Sequence, residues 1–153
     1  MTAPSALRPA HLHHVAISSD QPAVLAEFYG KVLNVPARQL GPDLWEVHGA
    51  QRHLLIEKGP KNGLRFAGFA LPDAARLARY REEIAAKGIN SRPSPTPLFQ
   101  DGAFAVDLPD GPQFVFGLPR EKDTAPDRMS ARMQHVVVAS DQLGEMAAFA
   151  EKL

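Results

Sequence analysis

Residues 12–18 alternate along the chain, with Leu12, His14, Ala16 and Ser18 on one face of a strand and His13, Val15 and Ile17 on the other. The Val15/Ile17 side suits packing on a helix, and the His14 side carries small residues. Asp20 and Pro22 signal a helix start, a capping side chain followed by a proline in the first turn. Leu25, Phe28, Tyr29 and Val32 recur at helical spacing as one apolar stripe, and Pro36 closes the helix. Residues 44–48 and 53–58 read as strands joined by a hairpin-sized loop. Past the turn cluster of Gly59, Pro60, Asn62 and Gly63, residues 64–71 form another strand, and Pro72 and Asp73 another helix start. Leu77, Tyr80 and Ile84 make the second stripe, ended by Lys87 and Gly88. Pro93, Pro95 and Pro97 mark an extended connection, and residues 103–107 and 113–118 are strands around the turn at 108–112.

The opening then begins again 121 positions later, with residues 133–153 in register with the stretch from Leu12. His14 falls on His135, Ser19 on Ser140, Asp20 on Asp141, Phe28 on Phe149 and Lys31 on Lys152. The second copy predicts a third leading strand and a helix whose stripe is Met146, Phe149, Ala150 and Leu153. Residues 64–84 are a weaker echo by pattern. The order β-α-β-β twice, with a further strand or two less well placed, then β-α, predicts an α+β fold of two similar halves. We read residues 1–10 as a loose arm and 11–118 as one domain of two modules, about 11–59 and 63–118. Residues 119–131 read as a linker, and 132–153 as the truncated start of a further module.

Composition narrows the partners. Lys+Arg and Asp+Glu are both 17, so charge gives no reason to expect nucleic acid or an anionic membrane. No apolar run approaches the ~20 residues of a membrane span, and the first residues lack a signal-peptide core. With no Cys there is neither disulfide nor thiolate chemistry, and a cytoplasmic protein is expected.

A His leading a short strand, then Asp, then a helix with Phe28-Tyr29 and a Leu33-Asn34 end resembles the opening of the vicinal oxygen chelate superfamily, the glyoxalase, bleomycin-resistance and extradiol-dioxygenase group. The turn 108–112 followed by Phe114-Val115-Phe116 is similar to that group's closing strand. The resemblance runs from Leu12 to Leu153 and implies paired βαβββ modules in a curved sheet, a cup around a ligand site. Two modules, a linker and another His-led start look most like the first domain of a type I extradiol ring-cleavage dioxygenase. That likeness implies Fe(II), held in the second domain by two His and one Glu, which chelates a catechol and binds dioxygen. It also implies a small aromatic substrate and a homo-oligomer.

Carried over by position, His135 is an iron ligand only in a complete second domain. His14 occupies the first ligand position of the present domain, but Phe66 and Val115 stand where its partners belong. The expectation is a vacated site, no metal bound by this chain, and no activity alone. The alternative is a metal-free, dimeric glyoxalase or bleomycin-resistance type protein that binds a small apolar or aromatic molecule. His11 and His13 are expected as a surface cluster at the arm, and His48 and His53 as solvated groups beside a hairpin. Glu46 and Glu57 lie on strands, Asp107 and Asp110 border a turn, and the Arg76/Arg79/Arg81 group reads as a solvated face. Phe66, Phe69, Phe104, Phe114 and Phe116 read as core, or as the lining of an aromatic cup.

Overall fold

The computed structural model describes residues 5–50, 52–121 and 133–153. Strand β1 (His11–Ser19) leads into helix α1 (Pro22–Leu33) and then β2 (Ala37–Gly41), β3 (Leu44–Gly49) and β4 (Arg52–Lys58). The same order follows in β5 (Gly63–Ala70), α2 (Ala74–Ala86), β6 (Arg92–Pro93), β7 (Phe104–Asp107) and β8 (Gln113–Gly117). All eight strands join one mixed sheet in the order β2-β3-β4-β1-β5-β8-β7-β6. The leading strands β1 and β5 lie antiparallel at its centre, and each pairs in parallel with the last strand of its own module. This is the α+β architecture of paired βαβββ modules that the resemblance implies.

Period-two alternation assigns the two faces. On the helix side, Ala26, Val47 and Ile56 pack with Ile17, Leu25 and Tyr29 under α1. Leu77, Tyr80 and Ile84 of α2 pack on Phe104, Val106 and Phe116. The intervening positions, Ala16, Leu55, Phe66, Ala105 and Val115, make a second apolar cluster on the opposite face. The proline-marked connection crosses this face and seats Phe99 in it, 1% exposed. Phe99 is bridged to Pro119, and the Arg120 amide donates to the Leu98 carbonyl, so the predicted linker begins as a continuation of the packed domain. Its residues 122–131 lie outside the described residues.

Several local expectations differ from what the chain does. Strands β2 and β6 were missing from the sequence pattern; Ala37, Arg38, Gln39 and both residues of β6 are exposed, so neither edge carries a readable apolar alternation. Asp20 does not cap α1: the N-cap is Gln21, whose amide donates to the Ser19 hydroxyl. Asp20 instead faces Lys61 at 3.3 Å. Half the predicted α1 stripe stays in solvent, with Phe28 55% and Val32 62% exposed. The α2 signals hold, since the Asp73 side chain accepts from the Arg76 amide at 2.8 Å and the stripe is buried.

The arm does not hang loose over residues 5–10. Ala6 is buried against α2, and its amide and the Ser5 hydroxyl both donate to Glu83 at 3.0 Å. Residues 133–140 form no strand with any described residue, unlike the predicted third leading strand, whereas helix α3 (Leu143–Ala150) forms as predicted. Asp110 holds the helix entry by accepting from the Ser140 hydroxyl and the Asp141 amide. At the other end Phe149 and Leu153 pack on the α2 core, and the Tyr80 hydroxyl donates to the Leu153 carbonyl at 3.2 Å. No helix among the described residues is long and apolar enough to cross a membrane.

Candidate functional site

The inner sheet face gathers an unusual number of imidazoles, and a bulge is the reason. Along the β1–β5 pair, Leu12 registers with Phe69 and His14 with Gly68, so His13 is an extra residue on β1. The alternation predicted for residues 12–18 breaks there. His13 joins His14 on one side, with their Nδ1 atoms 2.8 Å apart. A nitrogen pair at that distance requires one ring to donate and the other to accept, so the two neutral imidazoles are opposite tautomers.

His14 is wholly buried, edge-on to Phe66 at 5.7 Å and to Phe99 at 4.8 Å between ring centroids. Burial, followed by the neighbouring His13 and His53, drives its pKa far below the usual imidazole range. For His13 the same causes, burial first and then His53, lower it to about 3. The Nε2 of His14 has no hydrogen-bond partner. It faces backbone rather than an open space: a Cβ at Gly68 would lie 2.6 Å from it. Phe66 and Val115 lie beside it in the same apolar cluster, with no carboxylate or second imidazole at their positions. Held against His13, Phe66 and Phe99, and belonging to no group of three ligand-type residues among those described, His14 does not fit a two-His-one-carboxylate iron centre. No step of ring cleavage is derived through this position.

The hairpin beside it is different. Glu46 and His48 are two residues apart on β3 and therefore share a face, and His53 on β4 stands directly opposite His48. The pairing of His53 with His14 across β1 and β4 puts the same group beside the β1 histidines. Glu46 is 0% exposed and His53 5%. The ring of His53 lies between those of His13, at 4.5 Å, and His48, at 4.2 Å, with interplanar angles of 14° and 23°.

A buried carboxylate requires partners, and Glu46 has two. Its Oε1 accepts from His53 Nδ1 at 2.7 Å and its Oε2 from Arg38 Nε at 2.5 Å. Burial pushes the Glu46 carboxyl up, but the hydrogen bonds and charges of His53 and Arg38 outweigh it and hold the group below its ordinary 4.5. One ligand atom from each of Glu46, His48 and His53 lies within 4.8 Å of the others. Sequence reasoning placed Glu46 on a strand but left His48 and His53 solvated and His13 at the surface; burial of Glu46, His53 and His13 corrects that. The readable signal was the Glu46/His48 spacing, which becomes a cluster only once the β3–β4 register is known.

His135 joins none of this. It is exposed, on a segment without strand pairing, and it belongs to no group of three ligand-type residues among those described.

Two βαβββ modules joined through their leading strands into one sheet define the vicinal oxygen chelate fold, and this chain has it. Solved structures that share the fold include extradiol dioxygenases. A catechol 2,3-dioxygenase superposes with a TM-score of 0.74 at 12% identity, over 93% of this chain and 58% of that one. A variant of homoprotocatechuate 2,3-dioxygenase from Brevibacterium fuscum gives 0.71 at 15%, over 97% and 46%. The enzyme of that name from Arthrobacter globiformis gives 0.70 at 16%, over 93% and 48%. The chain thus spans about half the length of these structures. No family model and no curated protein matches the sequence.

Proposed function

We propose that this chain is the non-catalytic, two-module domain of a cytoplasmic extradiol-type dioxygenase that cleaves catecholic rings with Fe(II) and dioxygen. The observation that carries the reading is the site at His14. The fold matches structures of ring-cleaving dioxygenases over nearly the whole chain and about half of theirs, while Phe66 and Val115 stand where the partners of a His14 ligand belong. In this account the iron belongs to further modules, where His135 supplies the ligand of a leading strand. The substrate is a small aromatic diol, and the working protein is a homo-oligomer.

The competing account, a metal-free protein that sequesters a small molecule in the cup, is weakened by Phe99 and Leu98, which pack into the inner face. An apolar cavity of about 370 Å³ between the arm, α3 and Phe69, Phe114 and Phe116 lies on the helix side of the sheet.

Dioxygen uptake with catechol tests the reading. The purified chain supplied with Fe(II) under reducing conditions is expected to consume no oxygen above the uncatalysed background. Substrate-dependent uptake with a ring-opened product would contradict it.

A further inference from the structure

We infer that Glu46, His48 and His53 form a binding site for a divalent first-row transition ion, separate from the position at His14 and independent of any iron in further modules. Three arguments lead there.

The donor set is the first: two imidazoles and one carboxylate is a borderline-soft N/O set suited to Zn²⁺ and its neighbours in the series. The second is placement. The ligand atoms lie within 4.8 Å of one another on adjacent, directly registered strands of one hairpin, so the backbone holds all three on one face. Donors around a zinc ion at ~2.0–2.2 Å stand roughly 3.3 Å apart in a tetrahedral shell, so closing the set needs only a small movement. His48, half-buried and stacked on His53, is the least buried of the three.

The third argument is support around the ligands. Glu46 divides its two oxygens, with Oε2 bonded to Arg38 and Oε1 to the His53 Nδ1–H. An ion arriving at Oε1 and His53 Nδ1 takes the place of the shared proton, which passes to Nε2 as the neutral ring changes tautomer, and the Arg38 contact still fixes the carboxylate from behind. The Glu46 and His53 edge opens on a cleft of about 50 Å³ bordered by Leu98, Arg120 and Glu121. That is space for one or two waters, so a fourth ligand position can be filled by solvent. Three protein ligands plus water is the arrangement of an open metal site rather than a closed structural one.

The test uses the chain as it stands, stripped with EDTA and titrated with Zn²⁺ by calorimetry in two buffers of different ionisation enthalpy, with zinc per chain read by elemental analysis. The inference predicts one zinc per chain in both buffers. It also predicts a loss of roughly ten-fold or more in affinity for His48→Ala and for Glu46→Gln, and unchanged binding for His135→Ala. In the wild-type chain, without mutation, Co²⁺ should shift the ring resonances of His48 and His53 far more than those of His135. Absence of stoichiometric zinc, wild-type affinity in His48→Ala, or paramagnetic shifts centred on another histidine would overturn it. Because the readout is binding by this chain alone, failure here leaves the proposed dioxygenase role standing, and the reverse also holds.

Discussion

Opposite His14 on β5 stands Gly68, and the His14 ring fills the space that a Cβ there would take. Such a Cβ would come within 2.2 Å of the ring's Cε1, and the wholly buried ring has little room to retreat. Gly68→Ala should therefore destabilise the fold by ~1–3 kcal/mol through overpacking. In a His14→Ala background the same change should cost much less, a non-additivity expected of groups in contact. Urea unfolding of the four proteins checks this; equal cost in both backgrounds would mean that the ring does not rest on Gly68. The identity of His14 as a position of interest was legible in the sequence, and so were Phe66 and Val115 as apolar substitutes. Its neighbours were not. A one-residue bulge moves His13 to the other face, and strand periodicity carries no sign of where a bulge falls. Glu46, His48 and His53 come together through a pairing register that no single strand encodes.

At the scale of elements, what could be read was what burial makes periodic. Both modules' helices, their central strands and α3 follow from apolar spacing, and Asp73 caps α2 as its type suggests. The edge strands β2 and β6 and the docked arm were illegible because backbone pairing and a few polar contacts hold them, not an apolar stripe.

Those contacts are testable. Burial raises the Glu83 carboxyl, but the Ala6 amide, the Ser5 hydroxyl and Arg79 outweigh it and leave the group below its ordinary 4.5. A depressed carboxylate stabilises the folded state above the unfolded value and loses that contribution as pH falls through the folded one. Stability should thus decline on acidification below about 4.5, with less of a decline in Glu83→Gln, as urea midpoints across that range would record. An identical acid profile in the variant would remove Glu83 as the anchor of the arm. On α3, Tyr80→Phe deletes the donor to the Leu153 carbonyl and should cost ~1 kcal/mol, with faster hydrogen exchange along the helix. Unchanged exchange would show that apolar packing of Phe149 and Leu153 alone seats it.

For the whole molecule, the likeness of the opening and closing motifs had the greatest reach, since it implies paired modules; the antiparallel contact of β1 with β5 at the centre comes from the structure. The inner face of that sheet is filled rather than hollow, by Phe99 over His14 and by Phe66 beside it. This filled face is the ground on which we propose that catalysis lies outside the chain. The intact mass of the protein from its native source, with iron determined on the same sample, tests this most directly. The account predicts a chain of about twice 16.6 kDa carrying iron that is lost in His135→Ala. A native chain of 16.6 kDa, with or without metal, would contradict it.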